Sequence, residues 1–424
     1  MKSIAEIAAQ LAGYDPQALS AAQVGEFLSR LVQPISETEE VGLRDALGRV
    51  LAQDLVSPIS VPPHDNSAMD GYAFDGAQLA GGQPLALQVV GTALAGKAWQ
   101  GSVAAGQCVK IMTGAVMPQG LDTVVPQELV SLQTQDRASI TVPAGLLQPG
   151  DNRRHAGEDL MAGGYALLAG ERLGPAACGL VASLGMDRVA VRRRLRVAYF
   201  STGDEILSLG EPPREGAVYD SNRYTVWGLL TRLGCEIIDM GVVADQPRHL
   251  EQAFAQAAGV ADAIITSGGV SVGEADHTKA MMAKLGDVAF WKIAMRPGRP
   301  MAVGRIADAV LFGLPGNPVA VMVTFFAFVR PALLQMMGCR PGSVPLLRAR
   351  SQEALRKKPG RTEYQRGIVS SAADGSLQVR VTGNQGSGVL SSMVQGNGLI
   401  VLHHEQGNVA RGDEVDVMMF DGAV

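Results

Sequence analysis

Apolar residues three and four positions apart open the chain. Ile4, Ile7, Ala8 and Leu11 share one helical face, and after Ser20 the spacing recurs at Val24, Phe27, Leu28 and Leu31. The first of these helices reads as a loosely attached arm. Beyond Val56 the texture changes to short β-like runs at 85–90, 108–112, 123–125 and 139–142, separated by Gly and Pro, which predicts a β-rich domain inserted over 58–152. Helical patterning returns at 175–184, so 1–57 and 153–194 are expected to form one discontinuous helical domain around the insertion.

From Leu195 strand and helix alternate: 196–200, 222–233, 236–242, 247–257, 263–266 and 277–285 follow in order. This order predicts a doubly wound α/β domain over 195–340. Its strand runs, Ala-Ile-Ile-Thr at 263–266 and Val-Leu-Phe-Gly-Leu at 310–314, lack polar alternation, as expected of a parallel sheet covered on both faces. Asn317 can cap the last helix, with Pro318 at its first position. Past Pro341, runs at 347–350, 377–381, 399–402 and 414–418 predict a small closed or nearly closed β domain over 341–424. The fold class is multidomain α/β plus β.

Composition changes this picture mainly by exclusion. The 424 residues are 47% hydrophobic and 18% charged, enough to build cores. A net charge of -5 supplies no broad basic field, which argues against nucleic acid or an anionic membrane as partner. The apolar run 319–329 is short for a bilayer span and no signal peptide is evident, so a cytoplasmic protein is expected. The four cysteines and six histidines show no zinc or disulfide spacing.

The candidate chemistry lies at strand ends. Ser267, Gly268, Gly269, Val270, Ser271, Val272 and Gly273 follow a strand and lead into a helix, so backbone N–H groups there can close around an oxyanion, although glycines also serve plain turns. Glu274 and Asp276 beside such a loop would repel a phosphate unless a cation intervened, which points to Mg²⁺; they can instead merely favour the helix dipole. Ser201, Thr202, Gly203, Asp204 and Glu205 open on the same sheet edge. Asp245 is exposed to that edge too, unless it is only a turn residue, whereas Asp220, Ser221 and Asn222 read as an ordinary helix cap ahead of a ligand contact. Arg296, Pro297, Gly298, Arg299 and Pro300 put two guanidinium groups on a stiff turn, suited to an oxyanion or simply to solvent. Gly316 and Asn317 bring another helix start to the edge. The polar stretches 62–72, 113–115 and 153–159 name no reaction by themselves.

Taken in order, DNSAMDGYA, MTGAVMP, GED, STGDE, SGGVSVGEADHTK, PGRP, LPGNP and QGS resemble the molybdopterin molybdotransferases, the family that also supplies the C-terminal part of gephyrin. The resemblance spans about 24–417. It implies insertion of molybdate into adenylylated molybdopterin with Mg²⁺-assisted release of AMP, by an elongated homodimer. It assigns Asp70, Thr113, Asp159, Glu205 and Asp276 as catalytic polar groups, with Glu205, Asp245 and Asp276 nearest the metal. It also assigns Lys292, Arg296, Arg299, Arg366 and Ser387 to the anion side, and Asp70 or Thr113 to completing a partner's cleft. A molybdopterin adenylyltransferase and molybdoenzyme chaperones are the implied partners. Three positions depart from the family pattern: Arg296 and Arg299 stand where relatives usually place lysine, and Ala320 where serine is common. Arginine keeps the charge but changes its geometry, and alanine removes a hydroxyl donor.

Overall fold

The structure, a computed structural model, describes residues 2–132, 139–270, 277–342 and 344–420. At its centre lies a six-stranded sheet in the order Glu236–Val243, Arg196–Thr202, Ala263–Ser267, Ala309–Leu314, Pro300–Ile306, Asp287–Lys292. The first four strands are parallel, Pro300–Ile306 runs opposite to them and Asp287–Lys292 turns back to their direction, so the sheet is mixed where the sequence pattern predicts a parallel one. A hairpin through Ala307, whose φ is 50°, adds the antiparallel edge.

Neighbouring residues on each strand enter different cores. Val197, Tyr199, Ile265 and Phe312 join Val226 and Leu230 of helix Ser221–Leu233 on one face. Ala198, Phe200, Ile264 and Leu311 meet Leu250 and Phe254 of helix Pro247–Val260 on the other. Burial of both faces therefore explains the missing polar alternation.

The apolar run at 319–329 extends further than its sequence suggests. Helix Pro318–Thr324 continues through a π-helical turn, Phe325–Val329, into Arg330–Met336, giving 19 residues that satisfy the length and hydropathy of a bilayer span. It is a core element: Val319, Val323, Phe325, Phe328 and Leu333 are buried in the main cluster.

The N-terminal arm is firmly docked rather than loose. Ser3 caps helix Ile4–Ala9, and Ile4, Ile7 and Leu11 are buried in the main core. Asp287 Oδ2 accepts from the Ile4 amide at 2.8 Å, the Lys292 amide donates to the Pro16 carbonyl at 2.8 Å, and Trp291 Nε1 donates to Tyr14 Oη at 3.0 Å. Helix Ala21–Leu31 joins the same core through Val24, Phe27, Leu28 and Leu31.

Segments before 58 and after 153 pair through strands the apolar periodicity leaves unassigned, not through the helices 4–9 and 21–31, which join the main core. Thr38–Gly42 pairs with Arg188–Arg192, and Leu55–Val56 with Tyr165–Leu167, around helix Pro175–Ser183. The intervening β unit is a six-stranded sheet containing Gly71–Phe74 and Gln107–Ile111. At the C-terminal end Thr362–Ser371, Leu377–Val381, Leu347–Ser351, Glu414–Met419 and Gly398–Leu402 pair in sequence, and the last returns to the first to close a five-stranded barrel.

Candidate functional site

A cleft of about 1400 Å³ opens at the carboxyl ends of the parallel strands, between the sheet and the barrel. Parallel pairing of Arg196–Thr202 with Ala263–Ser267 brings the loops after them to one edge, where ligands bind in open α/β sheets. The two loops touch because glycine occupies the contact. Gly268 has φ 92°, and a Cβ there would lie 2.3 Å from the Thr202 carbonyl oxygen; at Gly269, φ 66°, a Cβ would lie 2.3 Å from Thr278 Cβ.

Beneath these loops hydroxyls form a closed set. Tyr199 Oη lies 2.7 Å from Ser267 Oγ and 2.9 Å from Ser201 Oγ, with the two serines 3.2 Å apart. Burial pushes the Tyr199 phenol up, so it stays neutral and fixes both loop roots. Thr202 Oγ1 lies 3.1 Å from Thr278 Oγ1, which donates to Asp245 Oδ1 at 3.1 Å. Thr202, Gly203, Glu205, Asp220, Asp245, Ser267, Gly268 and Gly269 line this side of the cleft, whereas Ser201 supports it from below.

Arg296, Arg299 and Pro300 line the opposite wall. Their turn is held from two directions: Met295–Arg296 pairs in parallel with Thr362–Glu363 of the barrel, and Gly298 packs against Thr324. Ser387 and Gln385 line the same wall, and the Val319 amide donates to the Ser387 carbonyl at 3.1 Å. Gly316, Asn317 and Ala320 also line the cleft, with Gly316 beside Gly268 and accepting from Asn222 Nδ2 at 2.7 Å; the Asn317 side chain makes no cap hydrogen bond, contrary to the expectation from sequence.

Arg366 stands behind this wall. It is 1% exposed, donating from Nε to Ser392 Oγ at 2.9 Å and from Nη2 to the Asn384 and Gly386 carbonyls at 3.2 and 2.9 Å. Burial, with the like charge of Arg296 adding to it, brings its pKa down to about 10. The guanidinium thus braces the loop that carries Ser387.

Other assigned residues lie elsewhere. The exposed Lys292 is not among the cleft-lining residues. Asp70 Oδ1 accepts from the Thr113 amide at 2.7 Å and from Thr113 Oγ1 at 2.8 Å, bonds that hold the Asp70 carboxyl below its ordinary pKa; this pair and the exposed Asp159 are also absent from the cleft lining. Ser271, Gly273, Glu274 and Asp276 fall outside the described residues. The cleft also contains a group that the motifs do not mark, Arg361, paired to Glu363 at 2.6 Å, and it is lined by Asp220, Ser221 and Asn222 of the expected cap. Arg361 follows Pro359-Gly360 in an otherwise unremarked basic turn, so only the fold reveals its position.

The donor set suits a hard dication in one respect. Glu205, Asp220 and Asp245 all line the cleft, and Asp220 Oδ2 is buried without a hydrogen-bond partner among the described residues. No three His, Cys, Asp or Glu among those residues converge on one point. Such a layout fits Mg²⁺, which takes one or two carboxylates and fills its remaining positions with phosphate and water oxygens.

Known proteins match this chain in three successive regions. Residues 19–185 match the MoeA N-terminal region (domain I and II), 198–335 the "Probable molybdopterin binding domain", and 348–420 the MoeA C-terminal region (domain IV). The chain is 43% identical over 387 residues to a molybdopterin molybdenumtransferase of Haemophilus influenzae, covering 91% of this chain and 95% of that one. A molybdopterin molybdenumtransferase of Nostoc sp. is 37% identical, with 90% and 88% covered. The crystal structure of a molybdopterin biosynthesis moeA protein from Pyrococcus horikoshii OT3 superposes with a TM-score of 0.82 at 27% identity, covering 95% of this chain and all of that one. Three matched regions in order, near-complete coverage and the shared multidomain fold place the chain in the molybdopterin molybdenumtransferase family, transferases of molybdenum cofactor biosynthesis.

Proposed function

We propose that this protein inserts molybdate into adenylylated molybdopterin and releases AMP with the help of Mg²⁺. The observation that carries the reading is one cleft with glycine loops and carboxylates on the sheet edge and Arg296, Arg299 and Ser387 on the facing wall. Such a cleft can seat a pyrophosphate between helix starts and cations while leaving an oxyanion beside the arginines.

Glu205 and Asp245 would hold Mg²⁺ together with Asp276, and the ion would offset negative charge developing on the pyrophosphate. The protein's own groups do the rest. Ser267, Gly268 and Gly269 position the phosphates, the Tyr199 hydroxyl set keeps their loops in place, and Arg296 and Arg299 attract the oxyanion. The dithiolene sulfurs of the substrate ligate the molybdenum. Cys108 and Cys235 are consistent with that division of labour, since burial pushes both thiols up to about 12 and away from metal-binding thiolate.

The exposed Asp70–Thr113 pair, outside its own cleft, supports a homodimer in which one copy completes the other's site, and the reading places that dimer in the cytoplasm. A molybdopterin adenylyltransferase would supply the substrate, and molybdoenzyme chaperones would receive the product.

The deciding assay supplies adenylylated molybdopterin, molybdate and Mg²⁺ and follows AMP release together with molybdenum incorporation. Molybdate-dependent AMP release is expected. ATP consumption would indicate an adenylyltransferase instead, and complete inertness a carrier; either would overturn the proposal. Asp276→Ala should abolish release, and unchanged turnover would refute its role at the metal.

A further inference from the structure

One buried threonine touches the ends of three neighbouring strands. Thr278, in the first turn of helix His277–Leu285, is fully buried, and its hydroxyl bonds outside its own helix. Oγ1 donates to Asp245 Oδ1 at 3.1 Å and lies 3.1 Å from Thr202 Oγ1. Its side chain also fills the space that Gly269 leaves open: a Cβ at Gly269 would lie 2.5 Å from Thr278 Cγ2 and 2.7 Å from Oγ1. Thr202 ends strand Arg196–Thr202, Asp245 follows Glu236–Val243, and Gly269 follows Ala263–Ser267, three strands paired side by side in parallel.

A hydroxyl has a single proton, and a carboxylate only accepts. Donation to Asp245 therefore fixes the direction of the relay, and Thr278 accepts from Thr202 in turn. Two hydroxyls polarised toward a charge hold their acceptor more firmly than one isolated bond. No other hydrogen bond reaches the Asp245 carboxylate among the described residues, so Oδ1 is committed inward and Oδ2 is left to the cleft that Asp245 lines. The β-branched side chain, wedged against Gly269, has little rotamer freedom, and it passes that order on to the carboxylate. Thr278 itself is not among the cleft-lining residues and acts only through Asp245.

We propose that Thr278 is a positioning residue for Asp245: its hydroxyl holds one carboxylate oxygen away from the cleft, so that Asp245 meets a divalent cation through the other oxygen alone. This role rests on the Mg²⁺ reading of the cleft given above and adds to it a residue that never touches the ion. Outer groups that hydrogen-bond a metal-ligating carboxylate typically sustain affinity by about 10- to 100-fold.

Mg²⁺ is titrated calorimetrically into protein loaded with adenylylated molybdopterin, with molybdate withheld so that no AMP leaves. Thr278→Val matches the threonine in shape and deletes the hydroxyl, whereas Thr278→Ser keeps the hydroxyl. The valine variant should bind Mg²⁺ about 10- to 100-fold more weakly, and the serine variant within about threefold of wild type. The Mg²⁺ concentration giving half-maximal AMP release should rise by the factor that the affinity falls, a proportion that general loosening of the fold would not reproduce. Thr278→Ala, smaller and equally without the hydroxyl, takes the place of a valine variant that does not fold. Unchanged Mg²⁺ affinity without the hydroxyl overturns the proposal, as does an equal loss in the valine and serine variants, which would leave packing against Gly269 as the cause. Asp245→Asn separates this failure from failure of the metal reading. It should weaken Mg²⁺ binding at least as much as Thr278→Val does; undiminished affinity, or a wild type that takes up no Mg²⁺, would remove Asp245 from the metal and the role of Thr278 with it.

Discussion

Gly268→Ala tests whether the contact between the two glycine loops holds the cleft in shape. Alanine at φ 92° carries a backbone cost of about 1–2 kcal/mol. Its Cβ would also lie 2.3 Å from the Thr202 carbonyl oxygen, roughly 1 Å inside ordinary contact, and the obstacle is backbone rather than a flexible side chain. Forcing the loops apart adds about 1–3 kcal/mol. Gly234→Ala is the control: φ is 84° at the end of helix Ser221–Leu233, but the nearest atom to a Cβ is Arg194 Nη1 at 3.4 Å, so only the backbone cost applies. Urea denaturation followed by tryptophan fluorescence should show Gly268→Ala less stable than Gly234→Ala by about 1–3 kcal/mol. The same variant should bind AMP more weakly, because Gly268 lines the cleft and Gly234 is not among its lining residues. Equal destabilisation of the two variants, with AMP affinity intact, would refute the steric reasoning.

Arg366→Met should destabilise the protein by about 2 kcal/mol, because the carbonyls of Asn384 and Gly386 lose their donor, and calorimetry should show weaker molybdate binding as the Ser387 loop loosens. Undiminished stability and binding would remove its bracing role. Asp287→Ala deletes the acceptor for the Ile4 amide and should raise hydrogen exchange in the arm at residues 4–9 while leaving the barrel unchanged; unaltered exchange in the arm would show that its apolar contacts alone hold it. Alkaline stability should report the buried thiols. The folded pKa of Cys108 is raised to about 12 from 9.0, so its contribution is intact below pH 9 and is lost as pH climbs toward 12, by about 1.4 kcal/mol per unit. Cys108→Ala should flatten the fall in denaturant midpoint between pH 9 and 10.5, and an unchanged slope would contradict that origin.

The sequence makes the sheet legible where both of its faces are buried by local helices. Between 196 and 267 each apolar run is a strand and each three-four pattern a helix, because consecutive elements pack on one another. The edge strand Asp287–Lys292 and its neighbour Pro300–Ile306 are less legible, since the former is held by the latter and by the distant arm, and Lys292 and Arg305 break the apolar run. Strand Thr38–Gly42 is similarly hidden: its partner lies some 150 residues away, and Thr-Glu-Glu-Val-Gly carries no strand pattern alone. For the cleft, motif reading reaches Thr202, Glu205, Asp245, Arg296 and Ser387, which the fold brings to one place. It cannot reach Arg361, placed there by barrel pairing.

The short parallel pairing of Met295–Arg296 with Thr362–Glu363 means that the arginine turn belongs to two folding units at once. The barrel closes on its own strands, so exchanging it for that of a relative would look harmless by every measure of its fold. Such a chimera would still have to reproduce the edge on which Arg296 is registered. A displacement of one residue along that edge, about 3.3 Å, would carry the guanidinium away from the glycine loops by roughly the length of a hydrogen bond. The spacing between the glycine loops and the arginine turn is therefore a property of the joint between units, inherited by neither alone.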